Sequence, residues 1–480
     1  MAKFNCKSYI KTKNLSMHEA YQMTDKEKLV TQVLTSLFNE SKFYKDNSED
    51  IVNTVQKVIK EDPKFIANLC VYTRKEMHLR TISQVLIGEL AKVNKGKPYV
   101  RRSMNNCIFR VDDMTEILAY YINKYGKPIP NSIKKGIGDK LLSFDEYQLA
   151  KYNRRNNLVK LKDLLCLVHP KAKNEEQNNM FKRLLENKLK TPITWETQLS
   201  SRGNKKKVWE ELIENNSLGY MAMLRNLRNI LKADVYNIDK VYEFLSDENR
   251  VLRNKLLPFR YYSAYKTLEN EGIGTSKIFD TLEAAIKHST KNINKLTGKT
   301  MISADVSGSM NCYISEKSQI TCAEIAVLMM SIANYICEET ITTTFDSKLY
   351  MSNLSTKNGI IANANSIKVN GGGTDISLPI RHLLNNKIFV DRIIILSDNE
   401  INRGYGRVCQ RYVEEYKSKI NPNVWVHAID MQGYGTQQFC GERVNILAGW
   451  NEKIIDFIYQ AEIETGSLIE KIEKYYFKEE

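Results

Sequence analysis

The sequence predicts an α + α/β chain: an all-helical first part, then a second part built on a mostly parallel sheet. Three observations carry this expectation. Nine Pro and 22 Gly among 480 residues leave long stretches unbroken, which favours many helices. Up to about residue 300, apolar residues recur at helical spacing in one segment after another. Beyond it, short β-rich runs alternate with helical ones, the order that puts parallel strands between two layers of helices. A chain of 55.5 kDa is also too long for one ordinary core. A break at 292–299 divides it into a helical domain, 1–295, and an α/β domain, 296–480.

In the first part, Thr24 and Glu27 have capping-box spacing and open a helix over 28–39. The segment 51–60 places Ile51, Val55 and Val58 or Ile59 on one side, and helices over 64–75, 81–92 and 114–125 follow. Ser143 and Glu146 form a second capping box, opening a helix that runs to about Arg155. The helix 161–168 is stopped by His169-Pro170. Helices over 180–190, 206–215 and 220–231 continue the series. In the last, Met221, Leu224, Leu227 and Leu231 form an apolar stripe, and Arg225 and Arg228 point elsewhere. No clean repeat period is visible. Many medium helices with short links predict stacked helix pairs, with a compact bundle as the alternative.

In the second part, a strand over 300–306 closes on Asp305-Val306-Ser307-Gly308-Ser309. An apolar helix over 320–337, short strands at 341–345 and 348–351, and a helix over 359–367 come next. The loop Gly371-Gly372-Gly373-Thr374-Asp375 leads into a helix over 378–385. A buried strand over 390–396 ends in Ser397-Asp398-Asn399-Glu400. Helix 406–420, strands 424–429 and 444–447, and helix 451–464 complete the series.

Charge separates the same two parts. Lys and Arg total 71 against 56 Asp and Glu, and the excess lies in 1–300, at +20 against −5 for the remainder. A basic part beside a mildly acidic one predicts a polyanion-binding module joined to something else. With 42% apolar and 26% charged residues, the chain is no disordered tail. The start lacks an apolar signal region. The longest apolar stretch, 325–337, is interrupted by Ser331 and Asn334 and is too short to span a bilayer. Nine scattered Cys without a Cys-x-x-Cys pair predict reduced thiols, no zinc site and a cytoplasmic protein without membrane contact.

Ligands of doubly wound sheets lie beyond the carboxyl ends of the strands. Three loops fall there and bring small oxygen-bearing side chains: Asp305, Ser307 and Ser309; Thr374; and Asp398. Hydroxyls and carboxylates are hard ligands, suited to Mg²⁺ or Mn²⁺. The alternative is that they are helix caps and tight turns. Asp-x-Ser-x-Ser, then Gly-Gly-Thr-Asp, then a strand ending in Asp together resemble the metal-ion-dependent adhesion site of von Willebrand factor A domains. That resemblance implies Ser307, Ser309 and Thr374 as ligands, with Asp305 and Asp398 acting largely through water. The inner set is rich in hydroxyls and has no Lys or His base, so the predicted metal accepts an acidic group from a partner. Walker A and Gly-x-Ser-x-Gly motifs are absent, and no enzymatic activity is expected.

Basic segments in the first part carry aromatic or polar neighbours: 95–102, Lys151-Tyr152-Asn153-Arg154-Arg155, Lys160, Lys162 and His169, Lys205 to Lys207, and Arg225 with Arg228. Arg and Lys suit phosphates, and Tyr stacks on bases. Each segment alone reads first as a solvated helix face. Together, Ile193-Thr194-Trp195-Glu196-Thr197, Val208-Trp209-Glu210-Glu211-Leu212-Ile213, Met221 to Asn229 and Leu257-Pro258-Phe259-Arg260-Tyr261-Tyr262 resemble the signature blocks of TROVE domains. A TROVE module followed by an A domain resembles the Ro autoantigen family and its bacterial and phage relatives. The resemblance implies a HEAT-like α-helical repeat ring closed by a Rossmann-like von Willebrand factor A domain, working as a monomer. It also implies a ribonucleoprotein that binds Y-like small noncoding RNA outside and single-stranded ends of misfolded RNA inside, for RNA quality control. By the same resemblance Lys151, Arg155 and His169 contact the Y RNA, with Arg154 as a substitute for Arg155 and Lys171 nearby. An exoribonuclease or another protein is the expected partner of the A domain. The rival reading is a metal-dependent protein-interaction module whose basic face is incidental.

Overall fold

Helices fill most of the chain from Asp25 to Ser289, and the main sheet begins at Leu296. The computed structural model describes residues 11–14, 17–34, 49–153, 158–256, 258–314, 319–402, 409–432, 436–448, 453–463 and 468–475. Two compact units emerge: Lys28–Thr197 with Ile469–Glu480, and Met1–Glu27 with Gln198–Leu468. Among the described residues, no helix is long and apolar enough to cross a membrane.

In the first of these units, helices stack as neighbours and next-but-one neighbours. Pro63–Lys75 packs on Thr81–Lys92 and on Lys97–Cys107; Thr81–Lys92 also packs on Val111–Tyr125, and Lys97–Cys107 on Asn131–Leu141. This is the arrangement of stacked helix pairs. Small residues permit the closest approach: a Cβ on Gly88 would lie 2.5 Å from the Tyr120 ring. Buried acids pin helices together. Asp113 accepts from Arg80 Nε at 2.5 Å and from Gln84 Nε2 at 2.9 Å. Glu89 accepts from Tyr120 Oη at 2.6 Å and Gln56 Nε2 at 2.9 Å.

The Thr24 capping box forms as expected, with Thr24 N donating to Glu27 Oε2 at 2.8 Å. The second box does not. The Ser143 hydroxyl donates instead to Lys140 O at the end of the preceding helix. Asp145 and Gln148 form the box, and the helix is Glu146–Tyr152. Asn153 has left helical geometry, so this helix ends at Tyr152, and Arg155 lies outside the described residues. Leu161–Val168 ends as expected, with His169 in left-handed geometry before Pro170.

In the second unit, strands are β1 (Lys11–Lys13), β2 (Glu19–Gln22), β3 (Leu296–Asp305), β4 (Cys337–Phe345), β5 (Leu349–Met351), β6 (Arg392–Ser397), β7 (Trp425–Asp430), β8 (Thr436–Gln437) and β9 (Val444–Ala448). Six form one sheet in the order β5-β4-β3-β6-β7-β9, parallel except for the antiparallel edge strand β5. All of β6 is buried. The helix Cys322–Ile336 covers β3 and β4. Across β6, Met301, Ile393, Ile395, Val413, Tyr416 and Val426 share one core.

The start of the chain departs from the expected run of helices. Residues 11–13 and 19–22 form a hairpin, and β2 pairs with β8. Met23 joins the core of the α/β sheet, and Asn14 Nδ2 donates to Ile401 O at 2.9 Å. The sequence hid this because such short strands are specified by a partner more than 400 residues away.

Candidate metal centre and basic surfaces

Strand β3 lies between β4 and β6, so the chain leaves it in a crevice at the carboxyl end of the sheet. Asp305 is the last residue of β3, and Asp398 directly follows β6. The glycine loop 371–375 is tied to the loop after β3 by its backbone: Gly371 N donates to Val306 O at 3.0 Å, and Gly308 N to Gly372 O at 2.9 Å. That approach requires glycine. A Cβ on Gly308 would lie 3.2 Å from Gly371 O, and Gly371 has a φ of +77°. Thr374 N donates to Asn402 Oδ1 at 2.7 Å, which ties the glycine loop to the segment after β6.

These ties bring the sequence-predicted metal residues to one end of the sheet. Ser307 Oγ and Ser309 Oγ are 3.2 Å apart, and the Ser309 hydroxyl is beside the Asp398 carboxylate. Asp305 accepts from Ser307 N at 2.9 Å and from Ser397 Oγ at 2.6 Å. Asp305, Ser307, Thr374 and Asp398 are buried, while Ser309 is exposed. Burial, then the negative charge of Asp398, pushes the Asp305 carboxyl up to about 7. Burial likewise raises Asp398.

Thr374 Oγ1 and Asp398 Oδ2 are buried without a hydrogen-bond partner among the described residues. Such orphaned oxygens carry a desolvation cost. Two buried acids, two neighbouring hydroxyls and two orphaned oxygens fit a hard divalent cation. Among the described residues no three His, Cys, Asp or Glu converge, so hydroxyls distinguish this donor set.

Sequence reasoning missed two supporting residues. Ser397 holds Asp305. Asn399 is buried, with both side-chain amide atoms unpartnered among the described residues and a φ of +60°. The Ser-Asp-Asn-Glu run is readable, but nothing local separates inward side chains from capping ones. His427 is buried in a network: its Nε2 is 2.9 Å from Glu462 Oε1, and Arg392 grips the same carboxylate at 2.8 Å through two nitrogens.

The predicted RNA residues lie in the helical unit 28–197. Lys151 is exposed near the end of Glu146–Tyr152, its ammonium 5.9 Å from the Tyr152 ring centroid. The Arg110 guanidinium is 4.8 Å from that ring centroid. His169 and Lys171 are exposed beyond the neighbouring helix. Arg154 and Arg155 lie outside the described residues. Lys151, Lys160, His169 and Lys171 have no ion-pair partner among the described residues, unlike Arg183, which pairs with Glu146 at 2.6 Å.

A second basic surface lies between Tyr220–Lys232 and Pro258–Asn270. Here a groove of about 400 Å³ is lined by Leu224, Leu227 and Leu268 and by Arg225, Arg228 and Arg260. Arg228 shares Glu271 with Lys232, at 2.8 and 2.6 Å. Arg225 and Arg260 are exposed, with no ion pair among the described residues. Arg260 reaches this groove only through helix packing, which the sequence spacing did not show. Lys205, Lys206 and Lys207 are exposed, and Lys206 lies 3.8 Å from Asp234.

Comparison with known proteins gives matches along most of the chain. The model described as TROVE domain matches residues 6–187 and 182–323, and that described as Ro60 vWA domain matches 299–436. The crystal structure of Deinococcus radiodurans RO (RSR) protein aligns with a TM-score of 0.68 and 16% identity, over 92% of this chain and all of that one. At this identity the likeness is one of fold. Telomerase protein component 1 of Rattus norvegicus is 26% identical over 338 residues, and that of Mus musculus 25%. Each match takes in 52% of this chain and 13% of the curated relative's length.

Proposed function

Since the chain belongs to the TROVE-domain Ro family, we propose that it is an RNA-binding protein and not an enzyme. It binds a Y-like small noncoding RNA and the single-stranded ends of misfolded noncoding RNA, in RNA quality control or ribonucleoprotein assembly. The observation that carries this reading is the set of exposed cationic and imidazole side chains without an ion pair among the described residues, on or beside helices: Lys151, Lys160, Lys171 and His169, then Arg225 and Arg260. Unpaired Arg and Lys are free to displace counterions from phosphates. Structured RNA is assigned to the Lys151 surface, and the arginine-lined groove suits the phosphates of an unpaired strand. Crosslinking the protein to RNA in its source cells and sequencing the bound RNA tests this. Enrichment of a small structured RNA or of RNA 3′ ends is expected. Recovery no greater than that of a charge-matched control would overturn it.

Ser307, Ser309 and Thr374 would hold Mg²⁺ or Mn²⁺, with Asp305 and Asp398 behind them. The cation would supply a Lewis-acid position for the carboxylate of a protein partner, for which an exoribonuclease is a candidate. The orphaned oxygens of Thr374 and Asp398 also support the second reading, a metal-dependent protein-interaction module. That reading predicts cation-dependent protein capture with no RNA.

A further inference from the structure

Cys312 and Cys322 face each other beside the candidate cation site, with Sγ atoms 3.3 Å apart. Their alignment is built by the backbone. Cys322 N donates to Cys312 O at 3.0 Å, Tyr313 and Thr321 form an antiparallel bridge, and Ile314 N donates to Ile320 O at 2.9 Å. Opposed residues of an antiparallel ladder have Cα atoms about 4.5–5.5 Å apart, inside the range of about 4.4–6.8 Å that a disulfide requires. Closing the bond therefore needs a small side-chain rotation and no movement of the chain.

We propose that Cys312 and Cys322 form a redox-active dithiol site whose reagent is a low-molecular-weight disulfide. Cys312 is exposed, whereas Cys322 is buried at the start of the helix Cys322–Ile336. That asymmetry orders the exchange. Cys312 Sγ, as its thiolate, attacks one sulfur of the small disulfide and releases one small thiol. Cys322 Sγ then attacks the Cys312 sulfur of the mixed disulfide and releases the second. The two protein thiol protons end on the two small thiols. The cysteine pair gives up two electrons, and the small disulfide is reduced by them.

A second close pair shows what distance alone does not supply. Cys70 and Cys107 have Sγ atoms 3.5 Å apart, but both are buried, and Cys70 also donates to Ser83 O. No reagent reaches that pair. The Cys312 bond would also tie the residue after the turn Gly308–Asn311 to the helix start, and that turn carries Ser309. The site thus sets a covalent staple beside the candidate cation ligands.

The test is incubation of the native full-length chain with glutathione disulfide, alkylation of remaining thiols, and non-reducing peptide mapping. The expected product is one peptide pair joined through Cys312 and Cys322, with Cys70 and Cys107 alkylated only after unfolding. In Cys322→Ser, the exchange should stop at a glutathione adduct on Cys312. The proposal is overturned if wild-type protein accumulates that adduct with Cys322 still free, if Cys312 pairs elsewhere, or if Cys312 does not react. The wild-type result decides even where the variant fails to fold.

Discussion

Ser397 Oγ donates to Asp305 Oδ2 at 2.6 Å, joining the carboxyl ends of two adjacent parallel strands. Ser397 is not among the expected metal ligands, yet it orients one of the two acids there. Ser397→Ala removes a hydrogen bond to a buried carboxyl group and should cost about 1.5–3 kcal/mol if that group is ionised. Outer partners of this kind also tune cation affinity by about 10-fold or more. Thermal unfolding should show the loss without added metal, and calorimetry with Mn²⁺ should show weaker binding. Unchanged Mn²⁺ affinity would leave Ser397 a purely structural residue.

Thr374→Val separates cation binding from packing. The Thr374 hydroxyl is buried without a partner among the described residues, so an isosteric methyl replaces a group that already carries a desolvation cost. The variant should be at least as stable as the parent in chelator. With Mn²⁺ at about 100 times Kd, the parent should gain about 2.7 kcal/mol, and the variant should not. Equal Mn²⁺-induced shifts in Tm for the two proteins would remove Thr374 from the site.

Acid should weaken the α/β sheet through Glu462. Burial opposes its charge, but hydrogen bonds from Arg392 and His427 pull its carboxyl down from 4.5 to about 2. Stability from this lowering is fully present above pH 4.5 and is lost as pH falls towards 2, because the unfolded chain takes up the proton first. The loss is of the order of ~2–3 kcal/mol. Urea unfolding at stepped pH should show the parent's advantage over Glu462→Gln shrinking across that window. A constant gap would mean that the carboxylate contributes through shape alone.

Local signals made much of this fold legible. The helices Thr81–Lys92, Leu161–Val168 and Leu378–Asn385 have the ends expected of them, the second set by the left-handed His169 before Pro170. Strand ends carrying Asp305 and Asp398 were readable because an apolar run stops at an acid. What escaped was set by distant partners. Asp145 outcompeted Ser143 as a cap because the preceding helix supplied Lys140 O to Ser143. The hairpin β1–β2 required β8, and the role of Ser397 required β3 beside β6.

Two RNA modes should separate by mutation. Lys151 and His169 are exposed on consecutive short elements of one helical unit, whereas Arg225 and Arg260 line a groove with Leu224, Leu227 and Leu268 beneath. The first pair suits phosphates of structured RNA; the second suits the backbone of an unpaired strand passing between two guanidinium groups. Lys151→Ala with His169→Ala should weaken a Y-like stem-loop more than an unstructured 3′ tail. Arg225→Ala with Arg260→Ala should do the reverse. Removing one charge-assisted hydrogen bond should cost about 1.5–3 kcal/mol. The physical signature is in the salt dependence: for every single-strand phosphate that the groove no longer neutralises, the slope of log affinity against log salt should fall by about 0.7. Competition binding with both RNAs across a salt series measures all of this together. Equal fractional loss for the two RNAs in both double variants would mean that the surfaces act as general positive charge, and the assignment of Lys151 and His169 to structured RNA would fail.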